Sequence, residues 1–123
     1  MNVNIEIKNL AQIKSAFHRA PYLMSKNLAG AIRRVALKVQ SESMKITPVQ
    51  TGFLRRSHTT RFESPLRASV EPMADYAFFV HDGTKFMPAR PFLSDAVEIT
   101  QGFTDTEFEK AVQDTLNTIG NAT

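Results

Sequence analysis

The residues of this chain that stand out as able to do chemistry are three histidines, the two aspartates that flank an apolar run, a scatter of basic side chains, and one arginine held between two prolines. Among His18, His58 and His81, only His81 has a metal-ligating neighbour, Asp82. Adjacent residues on a helix or strand do not face one site, so the spacing does not point to zinc. The chain has no cysteine, which removes thiolate metal sites and disulfides. Asp75 and Asp82 flank an apolar run without any supporting catalytic motif, and turn or helix-capping roles account for both. There is no Gly-rich phosphate loop and no Gly-x-Ser-x-Gly elbow. The residues therefore give no catalytic constellation, and the expectation is a non-enzyme that needs no metal or cofactor.

Charge is more informative. Residues 1–61 carry eleven Lys/Arg against Glu6 and Glu42, while residues 62–123 carry four against ten acids. The halves have opposite sign, which suits either two solvated faces or head-to-tail docking between unlike patches. Arg33, Arg34, Lys38, Arg55 and Arg56 are the basic residues that could face DNA or a partner. No helix-turn-helix, zinc-finger or ribonucleoprotein signature accompanies them, and the solvated side of a long helix is the competing reading for Arg33, Arg34 and Lys38.

Arg90 lies in the most distinctive stretch, Asp75–Leu93, which holds five of the eleven aromatic residues and two of the six prolines. Turn chemistry at Asp82-Gly83-Thr84 ends the apolar run Tyr76–Val80. Pro88 and Pro91 fix φ and lack an amide donor, so Phe86–Arg90 should be extended and stiff, with Pro91 opening the next helix. Arg90 then either bonds within its own chain or makes a bidentate contact across an interface. A domain this small cannot bury every large apolar side chain of the stretch. Phe78, Phe79, Phe86, Met87, Arg90 and Phe92 are the candidates for partner contacts.

These residues need a scaffold. The length, 123 residues, suits a single domain with one modest core. Asn2–Lys8 alternates Val3, Ile5 and Ile7 with polar residues and reads as a half-buried strand rather than a signal peptide. Asn9 caps a helix from Leu10 that ends before Pro21. Pro21 opens an amphipathic helix of about 25 residues with Met24, Leu28, Ile32, Val35, Val39 and Ile46 in one stripe. Gly30 inside it suggests a close helix crossing. Thr47-Pro48 ends that helix, and Thr51–Ser57 is a helical turn or the entry to a strand. Strands follow at His58–Glu63 and Arg67–Pro72, and Tyr76–Val80 is then a strand or one helical turn, with a short helix before Gly83 the preferred reading. A helix after Pro91 is broken at Gln101-Gly102. A last helix, capped by Thr104 and Glu107, stops at Gly120, and the tail beyond should fray. The fold expected is α+β: a long amphipathic helix on a small, mainly antiparallel sheet, with flanking N- and C-terminal helices. No apolar run reaches the roughly 20 residues that span a bilayer, so a soluble protein made in a cytoplasm is expected.

Three blocks together resemble the neck and tail-completion family of long-tailed bacteriophages, named after gene product ten of a Hong Kong coliphage. Its broader superfamily includes virion-morphogenesis proteins of contractile-tailed phages. The blocks are Thr47-Pro48-Val49-Gln50-Thr51-Gly52-Phe53-Leu54-Arg55-Arg56-Ser57, Tyr76-Ala77-Phe78-Phe79-Val80-His81-Asp82-Gly83-Thr84 and Met87-Pro88-Ala89-Arg90-Pro91-Phe92-Leu93. Gln50 departs from the aspartate common in the family, His81-Asp82 from its usual acidic-aromatic pair, and the broken helix near Gly102 from its continuous one.

The resemblance implies a structural virion protein, made in the host cytoplasm, that acts at the head–tail junction in neck or tail completion. It further implies a ring of copies whose partners are the protein itself and other neck and tail proteins, such as head-closure, tail-terminator or tail-tube proteins. Contact with genomic DNA would be transient, and no membrane is involved. A tail terminator that caps the tail tube is the alternative role. A DNA-binding accessory protein using the basic half is the alternative of another class.

Overall fold

The computed structural model describes residues 10–48 and 52–121. Eight elements follow one another: α1 (Leu10–Arg19), α2 (Pro21–Ile46), α3 (Phe53–Arg56), β1 (His58–Ser64), β2 (Arg67–Pro72), α4 (Ala77–Asp82), α5 (Phe92–Ile99) and α6 (Gln101–Asn121). The fold is α+β, a long helix against a two-stranded antiparallel sheet with helices on either side. The strand expected over Asn2–Lys8, the Asn9 cap, Gln50-Thr51 and the tail at Ala122-Thr123 lie outside the described residues.

Everything is built on α2. Its 26 residues span roughly 39 Å. That is long for a domain of this size, and the reason is that α2 serves two cores in succession. Its first half packs Met24, Leu28 and Ala31 against Ile13 and Ala16 of α1 and Phe108, Ala111 and Val112 of α6. Its second half packs Val35 and Val39 against Leu54, Ala77, Phe92, Leu93 and Ala96. The apolar stripe runs as the spacing predicts until its last member. Ile46 is exposed, and Ser43 takes the buried place one turn earlier.

Single residues decide the joints. Only Ala20 separates α1 from α2, and Pro21 takes the first turn of α2, where its missing N–H costs nothing. Thr47, extended before Pro48, closes α2 by returning both its N–H and its hydroxyl to the Ser43 carbonyl. Gly52–Ser57 resolves as a helical turn: Gly52, at φ +75°, supplies the left-handed entry to α3. Gly30 does not serve a helix crossing. A Cβ there would meet only its own helix's Arg34 guanidinium, at 3.3 Å.

β1 and β2 pair antiparallel from His58 opposite Pro72 to Phe62 opposite Ala68, with an irregularity between Phe62 and Ser64. The inward face of β1 meets α2 in order. His58 reaches Ser43, Thr60 bonds Gln40, and Phe62 lies under Arg33. β1 therefore runs antiparallel to α2, and β2 runs parallel to it.

Three expectations fail in the last helices. The break falls at Thr100, not at Gln101-Gly102, and it is slight: Thr100 N–H still reaches Ala96 and Thr104 N–H still reaches Thr100. Thr104 does not cap a new helix, because its hydroxyl bonds back to the Thr100 carbonyl inside α6. The helix also runs past Gly120 to Asn121. Among the described residues, no helix is long and apolar enough to cross a membrane.

Candidate functional site

The loop between α4 and α5 is tied down at several points. Gly83 ends α4 at φ +82°, and a Cβ there would lie 2.7 Å from the Ala89 nitrogen. The returning chain thus crosses the bare α-carbon, and glycine is required twice over. Thr84 and Met87 exchange backbone hydrogen bonds of 2.8 and 3.3 Å, and the Thr84 hydroxyl accepts the Phe86 N–H at 3.2 Å. Arg90 N–H then donates to the Val80 carbonyl at 3.0 Å, joining the end of the loop to the helix before it. Pro91, at φ −76° and ψ 66°, is the centre of an inverse γ-turn closed by Phe92 N–H on the Arg90 carbonyl.

Two corrections follow. Phe86 and Met87 belong to a closed turn instead of an extended run. Pro91 is the residue before α5, not its first. The stiffness expected of the loop is present, but backbone hydrogen bonds and the Gly83 crossing supply much of it.

The turn holds Phe86 at its tip, 91% exposed, with the Lys85 ammonium 5.8 Å from its ring. Phe78 and Phe79 are half exposed on α4 and meet edge to face. Met87 is exposed beside them, and so is Arg90. Among the described residues the Arg90 side chain has no hydrogen-bond or ion-pair partner, which leaves the intrachain reading of this arginine without support.

Phe92 is the exception among the candidates. It is 2% exposed, with its ring between the imidazoles of His58 and His81 at 5.5 and 5.2 Å. It cannot meet a partner, because the γ-turn at Pro91 aims it into the core, where it anchors the loop. Phe53, Met73 and Tyr76 extend the exposed patch. Sequence reasoning singled out neither Phe53 nor Met73 for this surface. The available signal was Leu54: one short helical turn cannot bury two neighbours, and Leu54 is the one inside.

Both core histidines are structural. The Nδ1 of His58 faces the carbonyls of Leu54 and Arg55, so it carries the proton, and Nε2 accepts the Ser43 hydroxyl at 2.8 Å. Burial holds its pKa below the ordinary histidine value, partly offset by the two carbonyls. His81 does face its neighbour. Its Nδ1–H donates to Asp82 at 2.6 Å and keeps that carboxyl below the usual range. Its Nε2 receives the Ser94 N–H at 3.4 Å, with the Ser94 hydroxyl equally far.

Asp82, His81 and Ser94 thus stand in the order of a nucleophilic triad, which no sequence spacing suggested. The imidazole is only 4% exposed, and its acceptor nitrogen is shared with a backbone amide. The arrangement caps the first turn of α5, which Pro91 cannot cap. No group of three metal-ligating side chains occurs among the described residues.

Each of the basic candidates meets a group of its own chain. Arg34 pairs with Glu107 of α6 at 2.5 Å. Lys38 pairs with Glu42 at 3.3 Å and lies near the Phe103 ring. Lys45, then Lys38, hold the Glu42 carboxyl below its ordinary value. Arg33 covers Phe62 at 4.6 Å. Arg55 donates to the Lys45 carbonyl, and the Arg56 guanidinium lies across Gly52. No protein-family model, characterised protein or solved structure matches the chain.

Proposed function

We propose that the protein is a structural component of a tailed-phage virion, acting at the head–tail junction in neck or tail completion as one subunit of a ring. The observation that carries this reading is the tied loop with its exposed Phe86 and its unpartnered Arg90. A rigid turn bearing an aromatic tip loses little entropy on binding, and aromatic and arginine side chains dominate interface energetics. Phe86 acts as the anchor, Phe78, Phe79 and Met87 as the surrounding apolar contact, and Arg90 as the bidentate partner of a carboxylate on the next copy or on a neighbouring neck or tail protein. The three sequence blocks that resemble the neck family support the same reading, because two of them build this loop. The DNA-binding alternative has less to rest on, since Arg34 and Lys38 are engaged with Glu107 and Glu42.

The test removes the gene from the phage that encodes it and images the particles. Full heads beside separate tails of normal length are expected. Overlong tails would reassign the protein as the tail terminator, and normal infectious virions would overturn both roles. Complementing the deletion with Arg90→Ala should give a folded chain that fails to restore joining. An unfolded Arg90→Ala chain would return Arg90 to a role within the subunit.

A further inference from the structure

From Leu10 to Ser41 the chain has no acidic residue and six Lys/Arg. Their surroundings divide them. Arg34 and Lys38, in the middle of α2, are engaged with Glu107 and Glu42. Lys14 and Arg19 of α1 and Lys26 of α2 are exposed, and among the described residues none of the three has an ion-pair or hydrogen-bond partner. Arg33 covers Phe62 but stays exposed, and a ring face leaves its positive charge in place. The end of α6 lies beside the start of α2, since Thr115 meets Met24 and Asn27. Residues 110–121 of that helix bring one acid, Asp114, against Lys110. Among the described residues the α1–α2 corner therefore keeps its positive charge.

Helical spacing turns these residues into a surface. Tyr22, Lys26 and Arg33 stand at i, i+4 and i+11 of α2, on the face opposite Met24, Leu28 and Ala31. They mark a track of roughly 17 Å along the helix axis. Arg19 stands at its head, one residue before the Ala20 joint. Tyr22 is 84% exposed, second only to Phe86 among the described large apolar side chains. Its hydroxyl is offered to solvent between two free cations.

We infer that this track binds the phosphate backbone of duplex DNA without reading its sequence. A polyanion is the occupant that the composition fits. A protein interface needs a core depleted of charge, whereas the track has one aromatic ring among cations, and the surplus apolar side chains lie around the α4–α5 loop. A single strand is held in a groove lined with several stacking rings, and a convex helix face with one tyrosine has neither. Contacts to duplex phosphates come from Arg, Lys and Tyr side chains, which donate to the phosphate oxygens and carry no sequence information.

The track is also separate from the docking loop. Tyr22 lies roughly 26 Å along α2 from Val39, which packs in the same core as Phe92. One subunit can hold a neighbour at one end and DNA at the other. The inference does not rest on the role proposed above, because DNA binding is measured on the purified chain.

The test is fluorescence anisotropy of a labelled duplex of mixed sequence, titrated with the full chain between 50 and 200 mM salt. Each phosphate contact adds about −0.9 to the slope of log affinity against log salt, so three or four contacts give roughly a 40- to 150-fold loss over that range. Arg19→Ala with Lys26→Ala should reduce the steepness of that slope by about 2 and leave the urea midpoint unchanged, because both side chains are exposed. Lys45→Ala with Lys85→Ala removes the same charge at the other end of the molecule and should keep the native slope. Tyr22→Phe, which keeps the ring and removes the donor, should weaken binding. Absence of duplex binding at 50 mM salt overturns the inference. So does an equal loss of slope in the two double variants, or tighter binding of the single strand of the same sequence.

Discussion

The two ends of α2 treat their large side chains differently. At the first end, Met24, Leu28 and Phe108 are buried, and Arg34 meets Glu107 across the α2–α6 seam. At the second end, one aromatic ring is fully buried while Phe53, Tyr76, Phe78, Phe79 and Phe86 stand in solvent around the α4–α5 loop. The first end is a helical core with one exposed aromatic, Tyr22, at the start of α2. The second has surplus apolar surface on a backbone too constrained to fold it inward, which is what a docking surface needs. The contrast also shows where the opposite charges of the two sequence halves go. A part of them is already spent inside the subunit, between α2 and α6.

The sharpest way to break this comparison uses two phenylalanines six positions apart. Phe92→Ala should destabilise the fold by about 3–5 kcal/mol, because it empties a site packed between two imidazoles. Phe86→Ala should change stability by no more than about 0.5 kcal/mol, since an exposed tip removes no core contact. Urea denaturation of both variants measures the difference. Similar losses would mean that the loop tip is part of the folded core, and the docking surface would lose its anchor.

A smaller effect sharpens the buried side of the same contrast. His58 has its folded pKa pushed below its unfolded value of about 6.5, so the unfolded chain takes up more protons as the pH falls. Its contribution to stability is therefore complete above about pH 6.5 and is lost as the pH drops from there toward the depressed folded value. Unfolding midpoints compared at pH 7.5 and 5.5 should fall in the native chain, and the fall should shrink in His58→Gln. Parallel pH profiles for the two chains would show that this imidazole is not held neutral by the core. The carboxylates Glu42 and Asp82, with their lowered values, act at more acidic pH and leave this window clear.

The extent to which the molecule was legible in its sequence follows the same division. Period-3.6 spacing located α2 to within a residue or two, and the hairpin and the short α4 followed from turn residues, because these signals are local. The loop was legible as stiff because two prolines announce it. What the sequence could not say was which aromatic turns inward. Phe86 and Phe92 are the same residue type in one stretch, and only a γ-turn at Pro91 and two distant imidazoles separate them. The capping of α5 by His81 was equally hidden, since it joins residues 13 apart through a tertiary contact. Thr104 misled for a local reason. Threonine favours helix starts, yet its hydroxyl can bond the carbonyl four residues back and stay inside a helix, as Thr104, Thr106 and Thr115 all do here.

The smallest expected effect tests the first end of α2. Arg34 and Glu107 are joined at 2.5 Å, but the arginine side chain is about half exposed, so solvent and salt screen the pair. A double-mutant cycle with Arg34→Ala and Glu107→Ala should give a coupling of roughly 0.2–1 kcal/mol that declines between 0.05 and 0.5 M salt, by the usual behaviour of exposed pairs. Such a value means that apolar packing of α1 and α6 holds this end, with the charges setting only the register of the helices. A coupling well above that range and indifferent to salt would make the α2–α6 seam a desolvated ionic contact. The basic and acidic halves would then be largely consumed within the chain, and the proposed contacts between copies would rest on the aromatic loop and Arg90 alone.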